Sequence, residues 1–186
     1  MAAASPCRLL RSLWWRDQRG AVAIEFAFIL PVMLLMFLGT FETSRLVRAY
    51  MTTNRAAEII ANLVAREGIN GVSIADVSDF CSAAKVAMAP FPGTALKATI
   101  SSVTKNVSTG TIAFDWQDTS CGGGAGVFSD ATTASSGIVV NNGDTAIIVK
   151  VSYSYMAAIH FVLPGSYTIN QTAYQRPRSG NTIPQS

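Results

Sequence analysis

Side chains able to perform chemistry are few in this chain and are spaced far apart. Asp76 and Asp79 have the spacing of one helix face, Asp115 and Asp118 flank the predicted end of a strand, and His160 is the sole histidine. Acid–base catalysis needs a donor and an acceptor at one reacting group, and a metal site needs clustered ligands. Because neither pattern is present, we predict no catalytic residue, no metal site and no cofactor. The chain is interpreted as a protein that is not an enzyme.

A segment rich in Gly, Ser, Thr and Ala covers residues 119–144 and contains Gly122-Gly123-Gly124 and Asn142-Gly143. Glycine-rich loops bind phosphate when they carry the G-x-x-x-x-G-K-[ST] pattern, which this segment lacks. The composition instead predicts a mobile surface loop followed by a turn.

The formal net charge of +3 is concentrated at the N-terminus. Residues 1–20 contain four arginines and one aspartate, so residues 21–186 balance at ten basic and ten acidic side chains. A nucleic-acid surface requires a patch of Lys and Arg, and none is visible in the balanced remainder. We therefore predict no nucleic-acid partner.

The segment Ala21 to Phe41 is apolar over 21 residues and contains one charge. At 1.5 Å per residue it is long enough to cross a hydrocarbon core of about 30 Å. The arginines before it predict a cytoplasmic N-terminus and an exported remainder. A secretory signal peptide is the alternative, but its apolar region is shorter and ends in small residues, whereas FLGTFETSR follows Met36.

Glu25 is the one charge in this apolar segment. A carboxylate at the centre of a bilayer costs about 2.5–3.5 kcal/mol, and the cost is smaller near the cytoplasmic end where Glu25 lies. One interpretation is a side chain that snorkels to the interface. The other is a functional carboxylate with a charged partner.

Residues around Glu25 favour the functional interpretation. The chain reads Arg19, Gly20 and Ala21, then Glu25 and Phe26, and then continues apolar. This pattern resembles the class III signal of type IV pilins and pseudopilins. The resemblance implies that a prepilin peptidase cuts between Gly20 and Ala21. It also implies that Glu25, the fifth residue of the mature chain, pairs with the Ala21 amine of a neighbouring subunit.

A wider pattern is similar to the TadE-like branch, which belongs to tight-adherence (Flp-type) pilus systems. It adds positions in and after the apolar segment: Ala27, Pro31, Gly39, Glu42 and Arg45. The stretch Ala173 to Arg178 also resembles the usual ending of that family. The resemblance implies a minor pilin or pseudopilin that takes part in pilus assembly or initiation. Its implied partners are the prepilin peptidase, other pilins or pseudopilins, the inner-membrane assembly platform and the lipid bilayer.

The predicted location is the bacterial inner membrane, with one crossing, a periplasmic C-terminal domain and possible incorporation into an extracellular pilus. We divide the chain into a basic leader (1–20), a transmembrane helix (21–41), an amphipathic continuation of that helix (42–66) and an exported α+β head (67–186). The helix is predicted to run to Arg66, with Gly68 as its stop. Apolar residues recur there at mainly helical spacing: Leu46, Tyr50, Ala57, Ala61 and Val64.

The head is predicted to be α+β, with a second short helix and an antiparallel sheet of about four strands. Ser73 is the expected N-cap of that helix, which should end near Ala89 because prolines follow. The predicted strands are 96–103, 110–117, 145–155 and 166–174. Apolar residues alternate from Ile147 to Tyr155, so one face of that strand should pack on the helices.

The predicted topology separates the three cysteines. Cys7 lies in the leader, whereas Cys81 and Cys121 lie in the exported head. In an oxidising periplasm we expect a Cys81–Cys121 disulfide, with two free buried thiols as the alternative.

Two rival functions remain open from the residues. One is an uncleaved single-span protein whose periplasmic domain binds or adheres to a surface, and the other is a periplasmic enzyme on a membrane tether. Removal of the leader distinguishes the pilin-like function from the first rival.

Overall fold

A computed structural model describes residues 19–67, 71–179 and 182–185. Helix α1, Arg19–Val64, is continuous over 46 residues and keeps Pro31 inside it. The polar stretch Thr52-Thr53-Asn54 is helical throughout, and the Thr52 and Thr53 hydroxyls donate to the Ala49 carbonyl. The prediction of one continuous helix is therefore confirmed, although α1 ends at Val64, two residues before the predicted Arg66. The predicted stop at Gly68 and the leader before Arg19, including Cys7, lie outside the described residues.

The N-terminal part of α1 is long and apolar enough to cross a membrane, and none of its most apolar window is buried among the residues that the structure describes. This fits a single-pass membrane anchor. The C-terminal part of α1 packs against the head. One helix thus contains an uncovered apolar part and a part that packs on the head.

Helix α2, Ile74–Ala87, begins at the predicted N-cap. The Ser73 hydroxyl accepts from the Asp76 N–H at 3.2 Å, and the Asp76 carboxylate accepts from the Ser73 N–H at 2.9 Å. This capping box satisfies two N–H groups at the helix start. The helix ends two residues before the predicted boundary and packs on α1.

Four strands form one antiparallel sheet in the order β2-β1-β3-β4, which confirms the predicted α+β class. Their bounds are Leu96–Lys105 (β1), Ile112–Asp118 (β2), Thr145–Met156 (β3) and Ser166–Gln175 (β4). A short 3₁₀ turn, Gly93–Ala95, leads into β1.

One face of the sheet packs on α1 and α2, and the alternating residues from Ile147 to Tyr155 all lie in this core. The helix contributes mostly small residues, which lets the sheet approach closely. Its buried positions are Glu42, Ala49, Thr53, Ala56, Ala57, Ile60, Ala61 and Val64. Tyr50 is 55% exposed, so the predicted apolar stripe is wrong there. Steps of four and three residues from Ala49 lead to Thr53 and then Ala56, and these residues lie on the buried side of the helix instead.

The opposite face of the sheet is covered by part of the segment 119–144. That segment contains a four-residue helix, α3, Ala131–Ala134, whose N-cap is Asp130. Apolar side chains of the segment form a second core with β1 and β3: Val103, Ala131, Ala134, Val139, Ala146 and Ile148. The Gly- and Ser-rich composition concealed this packing, because only a few of its residues are apolar.

Candidate functional site

The residues predicted for processing and assembly occupy the first turns of α1. Gly20, Ala21, Glu25 and Phe26 are all exposed. Glu25 is 17 residues before Glu42, the first buried residue of α1, and this separation is about 25 Å along a helix. The structure of the single chain therefore leaves these four residues available to another molecule. The pairing of Glu25 and the cleavage after Gly20 stay predictions.

Glu42 is the fully buried carboxylate at the junction between the apolar part of α1 and the head. Its Oε1 accepts from the Tyr155 hydroxyl at 2.6 Å and from the Ala158 N–H at 3.1 Å. Its Oε2 accepts from the Ile159 N–H at 3.3 Å. Both carboxylate oxygens thus bind the end of β3 and the loop after it, which we call the β3–β4 loop, residues 157–165.

These bonds set the charge state of the junction. Burial raises the pKa of the Glu42 carboxyl, but hydrogen bonds from Tyr155, Ala158 and Ile159, together with the Arg45 charge, bring the pKa below its ordinary value of 4.5. Burial and the Glu42 carboxylate raise the pKa of the Tyr155 hydroxyl to about 12. At neutral pH the pair is therefore a charged acceptor and a neutral donor, which makes the hydrogen bond strong.

Aromatic rings surround the next charge on the helix. The Arg45 guanidinium lies 5.9 Å from the ring centroid of Phe41 and 5.9 Å from that of Phe91. Phe91 in turn meets the Tyr155 ring edge to face at 5.9 Å. The junction therefore combines a buried carboxylate with a cation that lies within cation–π distance of two rings.

Residues 20–62 match the model of the TadE-like protein family. This chain carries a TadE-like segment. The segment coincides with α1, covers Gly20 to Glu42 and Arg45, and points to a role in the tight-adherence pilus system. No curated protein and no solved structure gives a significant match to the chain.

The sequence pattern included Glu42 as a TadE-like position but assigned it no contact. The spacing does indicate that Glu42 is on the buried side of the helix, because it lies seven residues, or about two turns, before Ala49. The missing information was the partner, since Tyr155 is 113 residues away along the chain. Long-range pairing of this kind leaves no trace in local spacing.

Cys81 in α2 and Cys121, which follows β2, form a disulfide in the structure, with their Cα atoms 5.7 Å apart. The bond joins the helical layer to the start of the segment 119–144. The Gly122 to Gly124 run beside it has positive φ angles throughout, which favours glycine there.

Three of the four acids considered for catalysis have structural contacts. Asp76 caps α2, and Asp115 accepts from the Ser102 hydroxyl on the neighbouring strand at 2.8 Å. Asp118 accepts from the Gln185 amide at 2.6 Å, whereas Asp79 is exposed. Within the part of the chain that the structure describes, no group of three or more His, Cys, Asp or Glu side chains is placed to hold a metal ion.

Proposed function

We propose that the chain is a minor pilin or pseudopilin that takes part in the assembly or initiation of a tight-adherence pilus. The observation that carries the proposal is the coincidence of the TadE-like segment, residues 20–62, with a single unbroken helix. Half of that helix is apolar and exposed, and half packs on an α+β head. A subunit built in this way has a helix free to pack on other subunits while its head faces outward.

In this proposal residues 21–41 cross the bacterial inner membrane with the N-terminus in the cytoplasm and the head in the periplasm. The arginine-rich leader supports the orientation, because positive charges favour the cytoplasmic side. The Cys81–Cys121 disulfide supports an oxidising compartment for the head.

The prepilin peptidase would remove the leader between Gly20 and Ala21, and the mature chain would then meet the assembly platform and other pilins. Glu25 is exposed on the helix of the single chain. Pairing with the Ala21 amine of a neighbouring subunit would offset the cost of keeping its charge in the membrane and would fix the axial register of the two helices.

The test is the intact mass and N-terminal sequence of the membrane-extracted protein from cells with and without their prepilin peptidase. A Cβ atom added at Gly20 meets no atom within 4 Å, and the same holds at Gly39. Gly20→Leu therefore changes the cleavage site at a position with open space around its Cβ, and Gly39→Ala is the control in the same helix.

We expect the wild-type and Gly39→Ala chains to begin at Ala21 only when the peptidase is present, and the Gly20→Leu chain to keep its leader. A wild-type chain that retains Gly20 in both strains would contradict the proposal. The better account would then be an uncleaved, membrane-anchored binding or adhesion protein.

A further inference from the structure

The β3–β4 loop lies at the level where the apolar part of α1 ends. Glu42 is the residue directly after Phe41, and the N–H groups of Ala158 and Ile159 donate to its carboxylate within 3.3 Å. The loop backbone is thus fixed beside the first helical turn after the apolar segment. If that segment crosses a bilayer, the loop is at the depth of the lipid headgroups.

The side chains of this loop suit such a position. Residues 157–165 contain no Asp, Glu, Lys or Arg, and at its tip Phe161 is 81% exposed. His160 beside it is also exposed, whereas Leu163 packs on the main core. The enrichment of Trp and Tyr at membrane interfaces depends on their polar groups, whereas Phe is one of the apolar side chains that interfacial elements bury at the boundary between headgroups and acyl chains.

A basic side chain, Arg45, also lies near the level of the loop. Arg45 is one helical turn beyond Glu42, and its guanidinium lies near the rings of Phe41 and Phe91. A guanidinium at this level can bind a lipid phosphate, and long basic side chains reach the interface readily. A carboxylate in the same layer would repel phosphates, but Glu42 is buried and both of its oxygens accept hydrogen bonds from β3 and the loop.

We propose that the β3–β4 loop is a membrane-contact element that inserts Phe161 into the periplasmic headgroup layer. The occupant of this surface is the bilayer that α1 itself crosses. The proposal rests on the part of the proposed function that puts residues 21–41 across a membrane, and it is independent of leader cleavage and pilus entry.

The direction of the strands identifies a turn at the opposite end of the head, which can be compared with the β3–β4 loop in the same molecule. β3 runs toward the membrane, because its end binds Glu42, and β4 runs away, because Arg178 beyond it donates to the Ala65 carbonyl at 3.0 Å. The turn between β1 and β2 therefore lies at the far end of the head. Val107 in that turn is an exposed apolar residue remote from the membrane.

The experiment places a spin label at one site of the full chain in single-copy phosphatidylcholine nanodiscs, in a Cys7→Ser background. Three labelled variants are compared: His160→Cys beside the intact Phe161, Val107→Cys at the far end, and Phe37→Cys within the apolar segment. Collision rates with oxygen and with a water-soluble nickel chelate report the depth of each label. Phe161→Asp is then added to the His160→Cys protein.

We expect the nickel collision rate at position 160 to be several-fold lower than at position 107, and to rise to the level of position 107 when Phe161→Asp is present. Equal nickel accessibility at 160 and 107, with the label at 37 in lipid, would overturn the membrane contact while leaving the span intact. Protection at 160 that Phe161→Asp does not relieve would also overturn it, because the protein itself would then shield the label. A label at 37 that is open to nickel would refute the span, and the membrane contact with it.

Discussion

At the scale of single residues, Glu42 determines how the head is attached to its helix. Replacing it with alanine leaves the buried Tyr155 hydroxyl and two N–H groups without their acceptor. Because unpaired buried donors and lost charge-assisted bonds are costly, we expect Glu42→Ala to lower the free energy of unfolding by about 2–4 kcal/mol. Tyr155→Phe should cost about 1.5–3 kcal/mol, since it removes one hydrogen bond to a charged group. Thermal unfolding of the full chain in detergent micelles measures both.

Tyr153→Phe is the matched control for these variants. Tyr153 lies two residues earlier on the same strand face and is buried in the same core, but its hydroxyl does not bind Glu42. A loss as large in Tyr153→Phe as in Tyr155→Phe would show that the hydrogen bond contributes nothing specific.

The same carboxylate makes stability depend on pH. Its folded-state pKa is below 4.5, so the unfolded chain takes up the proton first as the pH falls. The contribution of Glu42 is therefore complete above about pH 4.5 and is lost as the pH falls through the folded-state pKa. We expect Glu42→Gln to be less stable than the wild type at pH 7 and to lose less stability on acidification.

Other acids do not obscure this comparison. Hydrogen bonds from the Ser73 and Thr133 side chains lower the pKa values of Asp76 and Asp130, and both acids are present in each protein. The difference between the two unfolding curves thus isolates Glu42. Parallel curves from pH 7 to pH 3 would show that this carboxyl has the same pKa in the folded and unfolded chains.

At the scale of secondary-structure elements, the helix–sheet contact depends on small residues. Ala57 is fully buried in the main core, so a larger side chain there must push the packed elements apart or adopt a strained rotamer. We expect Ala57→Leu to destabilise the head by about 1–3 kcal/mol in the same unfolding assay. Met51→Leu, at a 65% exposed position of the same helix, is expected to be neutral. Equal effects of the two variants would argue against close packing at Ala57.

Helices and strands could be predicted where a local sequence pattern, such as alternating apolar residues or an N-cap, determines them. The alternation from Ile147 to Tyr155 located β3 and its buried face, and Ser73 with Asp76 located the start of α2. The predicted apolar stripe is wrong at Tyr50 because a large apolar side chain is a stronger hydrophobic signal than the neighbouring Ala49, which is the residue that is buried. On this helix alanine, not tyrosine, is the residue that permits close approach.

At the scale of the whole molecule, residues near the C-terminus pack against distant parts of the chain, and no local sequence pattern reveals these contacts. Ile183 is fully buried, and its carbonyl accepts from the Trp116 indole N–H at 2.7 Å. The carbonyl of Pro184 accepts from the Val72 N–H at 2.8 Å. A lone isoleucine among polar residues has no periodicity to identify it. The same holds for the bond between Glu42 and Tyr155.

The disulfide covalently links two distant parts of the head, because Cys81 and Cys121 are 40 residues apart in the sequence. Restricting the unfolded chain by a loop of this length contributes about 3–4 kcal/mol. We expect the Cys81→Ala, Cys121→Ala double variant to lose about this much unfolding free energy, and Cys7→Ser to leave the stability of the head unchanged. If reduction of the wild type leaves its unfolding curve unmoved, the bond does not stabilise the head.

The two attachments between helix and head have a mechanical consequence. Glu42 holds one end of the sheet and the Ala65 carbonyl holds the other, through the Arg178 N–H. Glu42 lies in α1 and Ala65 directly follows it, so the two points are 23 residues apart, which is about 35 Å along the helix axis. A force that pulls the helix out of the bilayer therefore loads the whole helix–sheet contact in shear and does not peel the head off from one edge.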